Sequence, residues 1–100
     1  MPTVEQETKI INKYGLHARP AMQLVELANK YSSKIDVSNG TLTVDAKSIM
    51  SVMRLAATKG TVLRIVADGS DAPEAVDKIV ELVRQGFGEL DEGELNESAC

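Results

Sequence analysis

The period of the apolar residues changes abruptly at Asp68-Gly69. Before that turn, Thr61 to Ala67 alternates: Leu63, Ile65 and Ala67 fall on one face, and Val62, Arg64 and Val66 on the other. This is the spacing of a strand. After it, Ala75, Val76, Ile79, Val80, Val83 and Phe87 recur as one helical stripe. Asp71-x-x-Glu74 reads as a capping box with Pro73 in the first turn, and Gly86 and Gly88 end the helix. A one-faced strand and a one-striped helix each need an apolar partner, which restricts the chain to layered folds of mixed type.

The rest of the chain repeats this grammar. Val4 to Asn12 predicts a strand, and Lys13-Tyr14-Gly15 a turn. Pro20 suits a first helical position, because its fixed φ fits there and its missing N–H is not needed. Ala21, Leu24, Val25, Ala28 and Tyr31 then give a helix over about 20–30, broken by Ser32-Ser33. Lys34 to Ser38 and Thr41 to Asp45 alternate on either side of Asn39-Gly40, a pair that can take positive φ and predicts a two-residue hairpin. Ser48 is a candidate N-cap for a helix over Ile49 to Ala57, with Lys59-Gly60 ending it. The order β-α-β-β-α-β-α, with short alternating strands, predicts an α+β domain with helices on one face of an antiparallel sheet.

Only 3% of the residues are aromatic and Trp is absent, so the core must be aliphatic. One hundred residues suit a single domain. It is expected to span 1–88. Residues 89–100 hold five acidic residues and no periodicity, and are expected to form a disordered acidic tail. No run of eighteen apolar residues argues for membrane insertion, and no basic-then-apolar leader opens the sequence. The single cysteine, Cys100, excludes an internal disulfide and fits a cytoplasmic location.

Charge is uneven. Residues 1–60 carry eight Lys/Arg against five Asp/Glu, while residues 61–100 carry three against ten. The first part suits an anionic ligand or an acidic partner. Without a dense basic patch or stacking aromatics, nucleic acid is not an expected partner.

The only histidine lies in Gly15-Leu16-His17-Ala18-Arg19-Pro20. With one histidine and one distant cysteine, no metal cluster and no Ser-His-Asp set can be built. A neutral imidazole is, however, a good nucleophile toward phosphorus, and its phosphoramidate can pass the group on. A helix starting just after His17 aims its N–H groups and positive dipole end at an added anion. Arg19 can fork onto phosphate oxygens. Gly15, Ala18 and Pro20 are expected to set the local geometry.

The run Asn12 to Ala21, Asn-Lys-Tyr-Gly-Leu-His-Ala-Arg-Pro-Ala, resembles the active-site motif of the histidine-containing phosphocarrier (HPr) family of the bacterial phosphoenolpyruvate-dependent phosphotransferase system. Ala46 to Met53 resembles that family's regulatory serine segment, and Lys59-Gly60-Thr61 with Asp68-Gly69 matches further on. The resemblance covers about residues 3–88. It implies an open-faced β-sandwich: a four-stranded antiparallel sheet with three helices on one face. It implies that His17 takes a phosphoryl group on Nδ1 from enzyme I and passes it to an enzyme II A-type component, with Arg19 orienting it. Ser48 would be the target of an HPr kinase/phosphorylase, and Ile49, Met50 and Met53 would belong to a docking surface. A plain helix cap remains an equal reading of Ser48. The resemblance implies a monomeric, stoichiometric carrier with no cofactor and no metal. It leaves open a nitrogen-branch carrier, or a module in which Ser48 controls a transcriptional regulator.

Overall fold

The most β-like run of the sequence is the centre of the sheet. In the computed structural model, which describes residues 3–88, β4 (Val62–Asp68) pairs antiparallel with β1 (Thr3–Lys9) on one side and β2 (Lys34–Ser38) on the other. The short β3 (Thr43–Asp45) adds to the outer edge of β2, giving the order β1-β4-β2-β3. The register lines up Gln6, Ile65, Val37 and Val44 across the sheet. This row and the alternate rows that carry Ala67 with Ile35, and Leu63, face three helices, α1 (Ala18–Ala28), α2 (Ile49–Met53) and α3 (Ala72–Arg84). The predicted α+β class, strand number and element order all hold.

The core between the layers is aliphatic: Leu24, Ile35, Val37, Val52, Leu63, Ile65, Val76 and Ile79 are fully buried. The other face of the sheet is open. It carries exposed Glu5, Glu7, Lys9 and Arg64, with Arg64 Nε 3.1 Å from Glu5 Oε2. No helix among the described residues is long and apolar enough to cross a membrane.

Several local expectations fail for identifiable reasons. β1 stops at Lys9 rather than Asn12. Beyond it, Ile10 exchanges backbone bonds with Thr61 and Gly60 instead of extending the ladder, and Asn12 Nδ2 donates to Gly15 O. The hairpin has a four-residue loop, Asn39 to Leu42, not two residues. Asn39 Oδ1 accepts from the N–H groups of Thr41 and Leu42, an Asx turn in which the side chain replaces a backbone carbonyl. Of the pair, only Gly40 takes positive φ. α2 ends at Met53, four residues early. The next bonds, Leu55 N to Val52 O and Ala56 N to Met53 O, are tighter i→i+3 turns, and Ala56 is left-handed at φ 46°.

Asp71 does sit at the N-cap of α3, but its side chain makes no capping bond. It accepts instead from the N–H groups of Ser32 and Ser33, at 2.8 and 3.0 Å, and from both hydroxyls. Phe87 lies outside α3, in a short 3-10 turn over Gly86–Gly88, with φ 55°. It is nevertheless buried, so the helical stripe correctly assigned it to the core but not to the helix. The expected acidic tail, 89–100, lies outside the described residues.

Candidate functional site

The site begins with a turn that only glycine fits. Gly15 takes φ 64°, and a Cβ there would meet the backbone of Ala57 and come within 2.8 Å of Thr58 Cα. Leu16 N donates to Ala57 O at 2.8 Å, and Leu16 is buried. The chain is thus pinned on both sides of His17: Leu16 plugs into the core behind it and Pro20, fully buried, holds it ahead. His17, Ala18 and Arg19 between them are exposed.

His17 is the N-cap of α1, with extended backbone at φ −77° and ψ −172° and no side-chain capping bond. Its carbonyl accepts the first helical bond, from Ala21 N at 2.9 Å. α1 therefore starts at Ala18, two residues before the expected start, and Pro20 is the third helical residue. The reason for proline still holds there, because N–H groups of the first turn have no intrahelical acceptor. The N–H groups that remain at the front of the helix belong to Ala18 and Arg19. They lie beside the imidazole in sequence, with the positive end of an eleven-residue helix behind them.

Tyr14 stands edge-on to His17, with ring centroids 6.2 Å apart and planes at 90°. Lys13 Nζ lies 5.4 Å from the Tyr14 ring centroid, within cation–π range. Lys13, Tyr14, His17 and Arg19 thus form an exposed group on one loop and its helix.

Ser48 is half-buried at the N-cap of α2, and its hydroxyl accepts from Ser51 N at 3.3 Å. The cap role is therefore real. Ile49, Met50 and Met53 follow it on the surface, with Met50 78% exposed, while Val52 carries the core contact of α2. The predicted docking residues are not core residues. The sequence reading missed Met22, 54% exposed on α1, which with Val25, Glu26 and Ile49 lines an apolar depression of about 320 Å³. Its signal was a large apolar residue one step off the stripe of Ala21, Leu24 and Ala28. Asn29 Nδ2 donates to Val25 O and Lys47 O, and Lys47 Nζ to Tyr31 O at 2.7 Å, so the start of α2 is laced to the end of α1. Among the described residues no group of His, Cys, Asp and Glu could hold a metal ion.

The described domain coincides with a known family. Residues 4–85 match the family model described as "PTS HPr component phosphorylation site". The phosphocarrier protein HPr of Cupriavidus necator is 44% identical over 86 residues, covering 86% of this chain and 97% of that protein. That of Pseudomonas aeruginosa is 46% identical over 95 residues, covering 94% of this chain and all of the other. The crystal structure of HPr-C-His from Thermoanaerobacter tengcongensis superposes with a TM-score of 0.79 at 44% identity, covering 89% of this chain and 98% of that one.

Proposed function

Because the chain belongs to the HPr family of the phosphotransferase system, we propose that it is a stoichiometric phosphocarrier that takes a phosphoryl group onto His17 and hands it on. The observation that carries this reading is an exposed imidazole at the N-cap of an eleven-residue helix, with Arg19 in the first turn. A lone pair on a ring nitrogen, Nδ1 by the family resemblance, attacks phosphorus. The N–P bond forms as the bond to the donor breaks, and the donor keeps that electron pair. The second transfer reverses these roles. An exposed site suits both steps, because donor and acceptor must reach the same atom in turn.

Ala18 and Arg19 supply N–H groups to the phosphoryl oxygens, and the helix dipole favours their charge. The Arg19 guanidinium neutralises more of it and fixes its direction. Gly15 and Pro20 hold this geometry from either side. Donor and acceptor are expected to be phospho-enzyme I, charged from phosphoenolpyruvate, and an A-type enzyme II component in the cytoplasm. Both would dock on Ile49, Met50 and Met53, and Met22 extends that surface. Methionine suits a surface that must fit more than one partner.

Phosphorylation of Ser48 by an HPr kinase/phosphorylase would set a dianion beside the same methionines and repel an acidic partner. A module working through Ser48 alone would give the exposed imidazole no task, so the carrier reading is preferred. The test is incubation with phosphoenolpyruvate, Mg²⁺ and enzyme I, followed by intact-mass measurement. One acid-labile phosphoryl group, absent from His17→Ala, is expected. A variant lacking His17 that still carries the group would sink the reading.

A further inference from the structure

The peptide group between Gly15 and Leu16 is held on both sides. Its N–H donates to Ala57 O at 2.8 Å, and its carbonyl accepts from Asn12 Nδ2 at 2.8 Å. The N–H and C=O of one trans peptide share a plane and point in opposite directions. A rotation of that plane therefore breaks both bonds together. The next peptide leads into His17, whose extended backbone opens α1.

Asparagine is a costly choice at position 12. Its side chain is fully buried, although Lys13 and Tyr14 beside it are exposed. Burying an amide is unfavourable unless it is hydrogen-bonded. The turn itself does not need that amide. Gly15 N donates to the backbone carbonyl of Asn12 at 3.1 Å, a bond that any residue at position 12 could accept. What asparagine adds is the bond from its side chain to the carbonyl of the same glycine.

Gly15 explains the need. It takes φ 64°, a region glycine enters without strain, but glycine is as much at ease elsewhere. Glycine permits this turn without making it unique. We infer that Asn12 is a positioning residue for His17. Its amide locks the Gly15–Leu16 peptide, and through that peptide the angle at which the imidazole stands to the N–H groups of Ala18 and Arg19. The effect on transfer rests on the phosphocarrier reading; the lock itself does not.

The test compares Asn12→Ala with Ile79→Val, a core substitution on α3, which supplies none of the site residues. In transfer from phospho-enzyme I, Asn12→Ala is expected to lower kcat about tenfold or more with KM within about twofold, because alignment at phosphorus is lost while docking is kept. Ile79→Val loses stability through the core alone and should keep the parent kcat. An unchanged kcat in Asn12→Ala, a fall shared by Ile79→Val, or a loss confined to KM overturns the positioning role.

Hydrogen exchange reads the lock without phosphorylation. In Asn12→Ala the Leu16 amide should exchange about tenfold faster or more relative to the Ala75 amide of α3, which reports the global loss of stability. An unchanged ratio overturns the lock. Should the alanine variant fail to fold, both measurements pass to Asn12→Asp, which keeps the shape and, when ionised, only accepts. In the parent, a through-bond coupling between Asn12 Nδ2 and the Gly15 carbonyl carbon is expected, and its absence overturns the lock whatever the variants do. A parent that takes no phosphoryl group sinks the carrier reading, and the exchange ratio still decides the lock.

Discussion

The Asp71 carboxylate receives the backbone N–H of Ser33 at 3.0 Å across thirty-eight positions of sequence. Together with bonds from the Ser33 hydroxyl and from Ser32, this clamp joins the start of α3 to the start of β2. The Ser33 hydroxyl first, then the Ser32 N–H, hold the Asp71 carboxyl down at about 2. A carboxyl lowered in the folded state stabilises above its unfolded value of about 4, and the effect is lost as pH falls toward 2. Thermal unfolding between pH 5 and 2 is expected to show a falling Tm in the parent and a flatter limb in Asp71→Asn. Parallel limbs would remove Asp71 from acid denaturation.

Gly15 links fold and site. Gly15→Ala places a Cβ against Ala57 and Thr58 in a left-handed conformation. The conformation costs about 1–2 kcal/mol and the crowding about 1–3 more. Urea unfolding is expected to register that loss, with slower phosphoryl transfer, because relief of the overlap must move the residues before His17. Unchanged stability would mean that the loop can shift freely.

Arg19 is exposed, and under the phosphocarrier proposal it is expected to bear on transfer rather than on folding. A charged hydrogen bond contributes about 1.5–3 kcal/mol. Arg19→Ala is therefore expected to slow transfer about ten- to hundredfold with little change in Tm. Arg19→Lys should recover part of the rate, since it keeps the charge and loses the fork. Equal rates for all three proteins would exclude a role at phosphorus.

The observed cap role of Ser48 and its proposed regulatory role separate by substitution. Ser48→Ala removes the bond from Ser51 N and is expected to cost about 0.5–2 kcal/mol. Ser48→Asp keeps a good cap and adds charge. It should leave stability near the parent while weakening enzyme I binding by calorimetry. Binding equal to the parent would leave Ser48 as a cap alone.

Met50 tests the proposed docking surface without touching the core. It is 78% exposed, so Met50→Lys is expected to change stability by no more than about 0.5 kcal/mol. Enzyme I affinity should fall tenfold or more, about 1.4 kcal/mol. An unaltered affinity would place docking elsewhere.

What the sequence made legible followed how local its cause was. β2 ends where its alternation ends, at Ser38, because side-chain period and burial agree there. His17, Arg19 and Pro20 stand within four residues of one another, so their grouping needed no tertiary knowledge. Where a side chain had a choice of partners, local rules misled. Asp71 could cap its own helix or bind Ser32 and Ser33, and only the folded chain brings those serines near. Asn39 could take positive φ or turn its own amide onto Thr41, and the Asx turn won. Phe87 matched a helical stripe because burial, not helicity, set its position. Met22 escaped notice because an exposed apolar residue on a helix has no periodic signature of its own.

The central place of β4 bears on how the chain is made. β1 leaves the ribosome first, yet its strand partner is β4, with Lys9 waiting for Val62 and Thr3 for Asp68. The hairpin of β2 and β3 likewise lacks its inner neighbour until β4 emerges. Local α1 turns can form early, but the sheet cannot. The domain is therefore expected to acquire its tertiary structure as one late, non-local event. A chain stalled before Val62 would hold both halves of an unfinished sheet and expose the edges of each.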